Sequence, residues 1–362
     1  MVLLLAWPLA AGSIRVASYN VSLGRDGPGL LLKAIEQGKD KQIETVVRII
    51  SKVAPDILVL NDFDYDRGNV ALAAFADRLK MAGIDYPYRF ALAPNSGYDS
   101  GADLNGNGYL HDPADAFGFG KFPGAQGMAI LSRYPPDLAG VKDFSGLLWA
   151  ELPGATLPML QGRPFLSEAA MKVHRLSSKG HWDVPVMLPG GDILRLFASH
   201  PTPPVFDGVE NLNGLRNRDE IRFWLLYLDG LAGDEQFVVV GDLNTDPFDG
   251  AGAHDSIRAL LAHPLVQDAK PISQGAIIAA KAQGGSNQKH QGPAELDTVD
   301  WDEARTPGNM RVDYVLPSAN LGVTGAGVFW PAPDQSGYAL VGPDGSTGSH
   351  HRLVWVDLVT DR

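Results

Sequence analysis

The chain has 362 residues, of which 45% are hydrophobic and 20% are charged, so it can bury a sizeable core and belongs to the globular class. Its formal net charge of -12 argues against a surface built to hold long nucleic acid, because such binding depends on Lys and Arg side chains that neutralise phosphates. It contains no cysteine, which excludes disulfides and thiolate metal sites. Any metal must therefore bind to oxygen or imidazole ligands.

The first twelve residues form an apolar run that ends in small residues, as the tail of a secretory signal does. The run lacks a basic region before the apolar stretch and is too short to span a bilayer. We expect residues 1–12 to be a signal remnant or N-terminal extension of a secreted or periplasmic protein, with a plain first strand and a cytoplasmic protein as the alternative. No other segment is apolar enough for a membrane helix. Residues 13–362 show no repeat and no convincing linker, which favours one domain.

Apolar residues that alternate predict strands, and apolar residues three and four apart predict helices. In chain order the pattern predicts a strand over 14–20, a helix around 43–50, a strand over 56–62, a helix around 72–79, a strand over 126–133, short strands around 171–173 and 184–187, a strand over 193–200, a helix around 218–228, and strands over 237–242, 311–316 and 352–357. The Gly-, Ser- and Gln-rich segment 284–300 is expected to be a mobile or substrate-covering loop.

Polar residues collect at the ends of these apolar strands. Asp242 and Asn244 follow the run 237–241 and lie two residues apart, so they project to the same side. A strand end with an Asx turn before a proline would give the same local pattern without any function. A whole set of such ends, rich in Asp, Asn and His, instead indicates one shared site. The set is Asn20, Asp62, His200, Asp242, Asn244, Asp313 and His351.

This set suits a metal-assisted attack of water on a phosphoester. Carboxylate and amide oxygens are hard ligands for a divalent cation such as Mg²⁺. A histidine near pH 7 can pass protons to and from water and a leaving group. The residue types therefore predict hydrolase chemistry.

The same residues, in this order, resemble the endonuclease/exonuclease/phosphatase superfamily, which includes deoxyribonuclease-I-like nucleases, neutral sphingomyelinases and inositol polyphosphate phosphatases. The resemblance covers nearly the whole chain from about residue 14. It rests on Asn20, Pro55–Asp62, Gly127–Arg133, Ser199–His200, Gly241–Asn244, Arg311–Tyr314 and Ser349–His351. It implies an α+β fold, a four-layer α/β/β/α sandwich of two packed, mainly antiparallel sheets flanked by helices, with the site at one edge of the sheets.

The resemblance also implies a catalytic role for each of five residues. His351 would be the base that activates water, and Asp242 would orient or deprotonate that water. Asn244 would bind a phosphoryl oxygen of the substrate. His200 would hydrogen-bond the phosphate or assist the leaving group. Asp313 would support the site or a histidine.

The implied metal site depends on Asn20, Asp62 and Asp242, which would hold Mg²⁺ or Mn²⁺. The family usually has Glu where this chain has Asp62, and the shorter side chain withdraws its oxygen from the metal. The family usually has Asp at the position of His350, where an imidazole removes a negative charge. His350 is therefore expected either to be a metal ligand itself, suited to Zn²⁺ or Mn²⁺, or to mark an impaired site.

Residues 94–125 form a Gly-, Asp- and Asn-rich insertion that is too long for a plain connection and is expected to be ordered by something. The segment Asp103–Tyr109 has the D-x-N-x-N-G pattern that begins a calcium loop. The twelfth position is Ala114 rather than Glu, and paired flanking helices are absent, so the alternative is a solvated Asx-rich turn. The candidate ligands of a structural Ca²⁺ are Asp103, Asn105, Asn107, Tyr109, Asp112 and Asp115.

We expect a metal-dependent phosphoester hydrolase, either a phosphatase or a phosphodiesterase, that acts on a small or lipid-like phosphate ester. A secreted nuclease of the same fold is the first alternative. The second is a noncatalytic binding module that kept the fold, in which Asp62 and His350 are substitutions that accompanied the loss of catalysis. The sequence leaves open the substrate, the choice between monoester and diester, and the oligomeric state.

Overall fold

The computed structural model describes residues 12–302, 304, 307–342 and 348–360. Apart from Gly12, the predicted signal remnant lies outside the described residues, and secretion stays a prediction. Within them, no helix is both long enough and apolar enough to cross a membrane.

The described residues form thirteen strands and eight helices. The strands are β1 (Gly12–Leu23), β2 (Ile57–Phe63), β3 (Tyr88–Phe90), β4 (Gly127–Ser132), β5 (Lys142–Asp143), β6 (Met159–Leu160), β7 (Arg163–Pro164), β8 (His181–Met187), β9 (Ile193–Ser199), β10 (Phe237–Asp242), β11 (Asp313–Pro317), β12 (Gly322–Val328) and β13 (Val354–Thr360). The helices are α1 (Leu30–Gln37), α2 (Lys41–Val53), α3 (Val70–Met81), α4 (Glu168–Met171), α5 (Leu212–Asp229), α6 (His254–Leu261), α7 (Gln274–Gln283) and α8 (Tyr338–Val341). Short 3-10 turns cover Trp149–Glu151, Gly285–Lys289 and Ala294–Leu296.

Two large sheets contain eleven of these strands. The six-stranded sheet has the order β12-β13-β1-β2-β4-β3, the five-stranded sheet has the order β11-β10-β9-β8-β5, and β6 pairs only with β7. Each large sheet has one parallel pair, β1 with β2 and β9 with β10, and the other pairs are antiparallel. The prediction of two mainly antiparallel sheets is confirmed.

The alternation of side chains along the strands separates three apolar cores. In β10, Val238 and Val240 point into the core between the two sheets, whereas Val239 points to the opposite face. A second core lies between the six-stranded sheet and α1, α2 and α3, and a third lies between the five-stranded sheet and α5 and α6. Burying each such side chain contributes roughly 1.5 kcal/mol or more, so β10 is firmly fixed. These cores define the four-layer α/β/β/α sandwich that was predicted.

The structure corrects the prediction for one segment and shows the local structure of another. The short strand predicted around 171–173 is wrong, because the helix α4 ends there at Met171. This helix is capped at its start by Ser167, whose side chain accepts the Ala170 N–H. The segment 284–300, expected to be a mobile or substrate-covering loop, contains two 3-10 turns, and its role stays a prediction. Both carboxylate oxygens of Asp249 accept backbone N–H groups from this segment, which ties it to the turn after β10.

Candidate active site

The pairing of β10 with β11 places two carboxylates side by side. Asp242 lies directly opposite Asp313 in this antiparallel pair, and directly opposite side chains share one face of a sheet. Both are buried, with exposures of 1% and 0%. Two like charges at this spacing repel each other, so the pair requires a proton or a cation nearby.

A glycine allows β10 to come close to β9 just before this pair. Gly241 has a φ of +149°, and a Cβ atom at this position would lie 2.0 Å from the carbonyl oxygen of Ser199. The turn after β10 is then fixed by Asn244, whose backbone N–H donates to Oδ1 of Asp242 at 2.9 Å. The Asn244 side chain donates to the Pro201 carbonyl at 2.9 Å, which joins the ends of β9 and β10.

His351 is held against both carboxylates. Its Nδ1 donates to Oδ2 of Asp313 at 2.9 Å and lies 3.8 Å from Oδ2 of Asp242. Burial lowers the pKa of the His351 imidazole, but the charges of Asp313 and Asp242 outweigh burial and raise that pKa to about 9. The Ser349 hydroxyl accepts the backbone N–H of His351 at 3.1 Å. The Nε2 atom of His351 makes no hydrogen bond to any described residue, so it can face water.

Asn20 and Asp62 join this group from the six-stranded sheet. The Nδ2 atom of Asn20 donates to Asp242 at 2.9 Å and to Asp62 at 3.2 Å, so two carboxylates converge on one point. Asp62 has a φ of 53° at an irregularity in the pairing of β2. A residue other than glycine held in this conformation costs about 1–3 kcal/mol, which the surrounding structure must offset.

His200 completes the cluster at the end of β9. Its Nε2 lies 3.4 Å from Asp242 and its Nδ1 lies 3.8 Å from Asp62. Burial, with smaller contributions from the charges of Lys179 and His351, lowers the pKa of His200 to about 4 against the opposing charge of Asp62. His200 is therefore neutral at pH 7. Its Nδ1 is buried and has no hydrogen-bond partner among the described residues.

A lysine that the sequence analysis did not single out lies beside this cluster. Lys179 precedes β8, is 7% exposed, and its ammonium group makes no hydrogen bond within the described part of the chain. Burial lowers the pKa of Lys179 against the opposing charges of Asp62, Asp64 and Glu220. The only local sign was a Lys-Gly pair before a strand, in a region too irregular for a confident assignment.

His350 has different surroundings from the other predicted metal ligands. Its side chain is exposed, and its Nδ1 is hydrogen-bonded to the carbonyl oxygen of Asp300 at 2.8 Å. Across the described residues, no ion pair links His350 to Asp62 or Asp242. A metal could reach His350 only through Nε2, and its role as a ligand stays a prediction.

The donor set of the cluster fits a hard divalent cation. Asp242, Asp313 and His351 each offer a ligand atom, and these atoms lie within 4.8 Å of one another. Burial raises the pKa of the Asp242 carboxyl to about 7. The ionised carboxylate is therefore unfavourable unless a nearby cation balances its charge. One oxygen of Asp313 is also buried without a hydrogen-bond partner among the described residues. Carboxylate oxygens around such a point are suited to Mg²⁺ or Mn²⁺.

The model of the Endonuclease/Exonuclease/phosphatase family matches residues 17–349. The chain belongs to this family. The match spans both sheets and includes Asn20, Asp62, His200, Asp242 and Asp313. No curated protein matches the chain.

Several solved structures share the fold of this chain. The endonuclease/exonuclease/phosphatase from Beutenbergia cavernae is 20% identical over 96% of this chain and 71% of its own, with a TM-score of 0.54. A family protein from Bacteroides thetaiotaomicron is 14% identical over 98% of this chain and 100% of its own, with a TM-score of 0.50. The mannosyl-6-phosphatase of the same species is 13% identical over 96% of this chain and 100% of its own, with a TM-score of 0.50. These likenesses concern the fold alone.

The predicted calcium loop of this family member folds around two carboxylates. Asp103 accepts three backbone N–H groups from the turn that follows it. Asp112 accepts hydrogen bonds from the side-chain amides of Asn105 and Asn107. Four of the six predicted ligands therefore lie together in one compact loop.

The other two predicted calcium ligands have different surroundings. Asp115 is 0% exposed, and its Oδ1 accepts the Leu104 N–H at 2.9 Å. The Tyr109 side chain is 75% exposed. Tyr109 would serve a Ca²⁺ ion through its backbone carbonyl, as the seventh position of such loops does. The structural Ca²⁺ stays a prediction.

Proposed function

We propose that this protein is a metal-dependent phosphoester hydrolase that attacks a small or lipid-like phosphate ester with an activated water. The observation that carries the proposal is the meeting of two groups at Asp242. The Asn20 amide joins Asp242 to Asp62, and the hydrogen-bonded pair of His351 and Asp313 lies against the same Asp242 carboxylate. Membership of the family supports the same chemistry, because its members are generally phosphoester hydrolases.

Asn20, Asp62 and Asp242 would hold the metal, and Mg²⁺ or Mn²⁺ suits these ligands. When bound, the cation supplies a Lewis acid that polarises a phosphoryl oxygen, and its charge lowers the pKa of His351. Asp242 contacts both the Asn20 amide and the imidazoles, so it links metal binding to proton transfer.

His351 would take the proton of the attacking water at Nε2. Asp313 holds Nδ1–H, which leaves Nε2 as the proton acceptor of the neutral imidazole. The Asp313 charge also stabilises the imidazolium that forms when the proton is taken. His351 would thus accept the proton, and Asp313 would orient His351.

Three groups around the cluster can donate to the phosphoryl oxygens. Lys179 offers an ammonium group with no hydrogen bond to the described residues. His200 is neutral and buried, and one of its nitrogens lacks a partner there. Asn244 uses one amide hydrogen on Pro201 and keeps the second. Donors fixed in place before the reaction stabilise the charge that develops on these oxygens.

A substrate panel with Mg²⁺, Mn²⁺ and Ca²⁺ tests the proposal. We expect wild-type turnover of at least one phosphoester, abolished by EDTA and reduced at least about 10³-fold by Asp242→Ala. Asp77→Ala, at an exposed position on α3, is the matched control and is expected to retain activity. Wild-type rates no higher than those of Asp242→Ala for every substrate would overturn the proposal.

Two further arms of the panel address the alternatives. Cleavage of plasmid DNA at low salt would support a nuclease, which the charge of -12 disfavours. A rise from near-zero activity in His350→Asp would support a noncatalytic module. We expect neither result.

A further inference from the structure

We propose that Trp301 makes the site selective for phosphodiesters, because its indole contacts the substituent that a diester keeps after hydrolysis. The inference rests on the proposed function and narrows its substrate class. It starts from an aromatic side chain that the mechanism above does not use.

Trp301 stands beside the proposed base. Its ring centroid lies 5.7 Å from that of the His351 imidazole, and the two rings are nearly perpendicular, at 85°. Val299, Met310 and Val312 cover part of the indole. The Trp301 side chain as a whole is partly exposed to solvent. An apolar surface is therefore available to a substrate at this side of the cluster.

The backbone on which Trp301 sits is tied to catalytic residues. Val299 forms a backbone bridge with His351. The Thr298 hydroxyl accepts the backbone N–H of Asp313 at 3.0 Å. Trp301 lies two residues after Val299. Its position beside the imidazole is therefore fixed by the same backbone contacts that fix the position of His351.

The direction of attack decides which part of a substrate reaches Trp301. The water oxygen bonds to phosphorus as its proton passes to Nε2 of His351. The bond from phosphorus to the leaving oxygen breaks, and that oxygen keeps the electron pair and takes up a proton to become an alcohol. Attack in line places the leaving group across phosphorus from His351. Trp301, on the side of His351, is then placed against a group that stays on phosphorus.

A diester has such a group, whereas a monoester does not. At that place a monoester carries a second charged oxygen, and an apolar indole face cannot replace the water that solvates it. Three carboxylates already line the site, so the dianion of a monoester meets more repulsion than the monoanion of a diester. An apolar or aromatic substituent can instead stack on the indole.

Three probes with one leaving group test the proposal. They are p-nitrophenyl phosphate, methyl p-nitrophenyl phosphate and bis(p-nitrophenyl) phosphate, assayed with Mg²⁺ or Mn²⁺. We expect wild-type kcat/KM to rise in that order. In Trp301→Ala, the ratio of kcat/KM for the bis ester to that for the methyl ester should fall about five- to tenfold, the size of a lost aromatic contact. Trp301→Phe should keep the ratio within about threefold, because a phenyl ring preserves the stack.

Tyr88→Ala is the control, because Tyr88 is a partly exposed aromatic residue on β3 at the far edge of the other sheet. Its ratio should match that of the wild type. A wild-type preference for the monoester, or an unchanged ratio in Trp301→Ala, would overturn the proposal. A shifted pH profile of kcat with an unchanged ratio would also overturn it and would make Trp301 a positioning residue. If the wild type turns over none of the three probes faster than Asp242→Ala does, the proposed function is contradicted, and the Trp301 proposal fails with it.

Discussion

Asp313 accepts a hydrogen bond from Nδ1 of His351 at 2.9 Å at the entry to β11. The register of β10 and β11 also sets Asp313 directly opposite Asp242. One carboxylate thus orients the imidazole, and the other connects it to the proposed metal ligands. The His351 imidazole therefore lies between its orienting carboxylate and a proposed metal ligand.

Replacing Asp313 by Asn should lower kcat by about 10²-fold or more, because the amide cannot stabilise the imidazolium and favours the wrong tautomer. Steady-state kinetics on the best substrate of the panel measures this. Asp357→Asn is the matched control, since Asp357 pairs with Arg15 on the surface of the other sheet. Equal activity in the two variants would contradict the role of Asp313.

Stability should depend on the protonation of His351 in metal-free protein. Folding raises the pKa of His351 from 6.5 to about 9, so its stabilising contribution is complete below pH 6.5 and is lost as the pH rises through 9. In EDTA, the free energy of unfolding should fall on the order of 1–3 kcal/mol across this window. Urea unfolding at several pH values measures it. His351→Gln should flatten the profile, and parallel profiles would contradict the assignment.

Replacing Lys179 by Met should separate activity from stability. Removing a phosphate donor should lower kcat/KM about 10²-fold. Removing a buried charge without a hydrogen bond in the described structure should leave the free energy of unfolding unchanged or raise it. Lys52→Met, at an exposed position on α2, is the control for both measurements. A large loss of stability in Lys179→Met would indicate a structural lysine instead.

The loop at Asp103 should bind Ca²⁺, because its sequence has the pattern that begins a calcium loop. Calcium at about 100 times its dissociation constant should stabilise the fold by about 2.7 kcal/mol, seen as a rise in Tm. Asp103→Ala should abolish this rise, whereas Asp77→Ala should keep it. Calorimetry that detects no Ca²⁺ binding to this loop would leave it a solvated turn.

The sequence predicted most of the long apolar strands and their polar ends, but it did not predict β3, β5, β6, β7 and β12 or the helices α6 and α7. Runs such as 237–240 have no polar residue and can only be buried, so the side chains that follow them mark an edge of the sheet. By contrast, the sequence could not predict that Asp242 lies opposite Asp313. This placement depends on the pairing of strands far apart in the chain, which no local pattern fixes.

Residues whose roles come from distant contacts could not be found in this way. In the sequence, Lys179 is an ordinary lysine before a strand and Trp301 is an isolated aromatic residue in a polar segment. Only the fold places Lys179 near His200 and Trp301 beside His351. The helix α1 was missed because it follows a glycine-rich turn and has Gly29 as its N-cap. The hydrogen bond of the His350 side chain to Asp300 could not be predicted either, because a position in a motif does not specify a rotamer.

Hydrolysis in ¹⁸O-labelled water tests the central claim most directly. Mass spectrometry of the products after turnover with Mg²⁺ or Mn²⁺ locates the oxygen that water supplies. Water attack at phosphorus predicts ¹⁸O in the phosphate product and none in the alcohol, with the labelled product lost in EDTA and in Asp242→Ala. Label in the alcohol, or labelled phosphate formed equally by wild type and Asp242→Ala, would contradict a metal-assisted attack on phosphorus at this site.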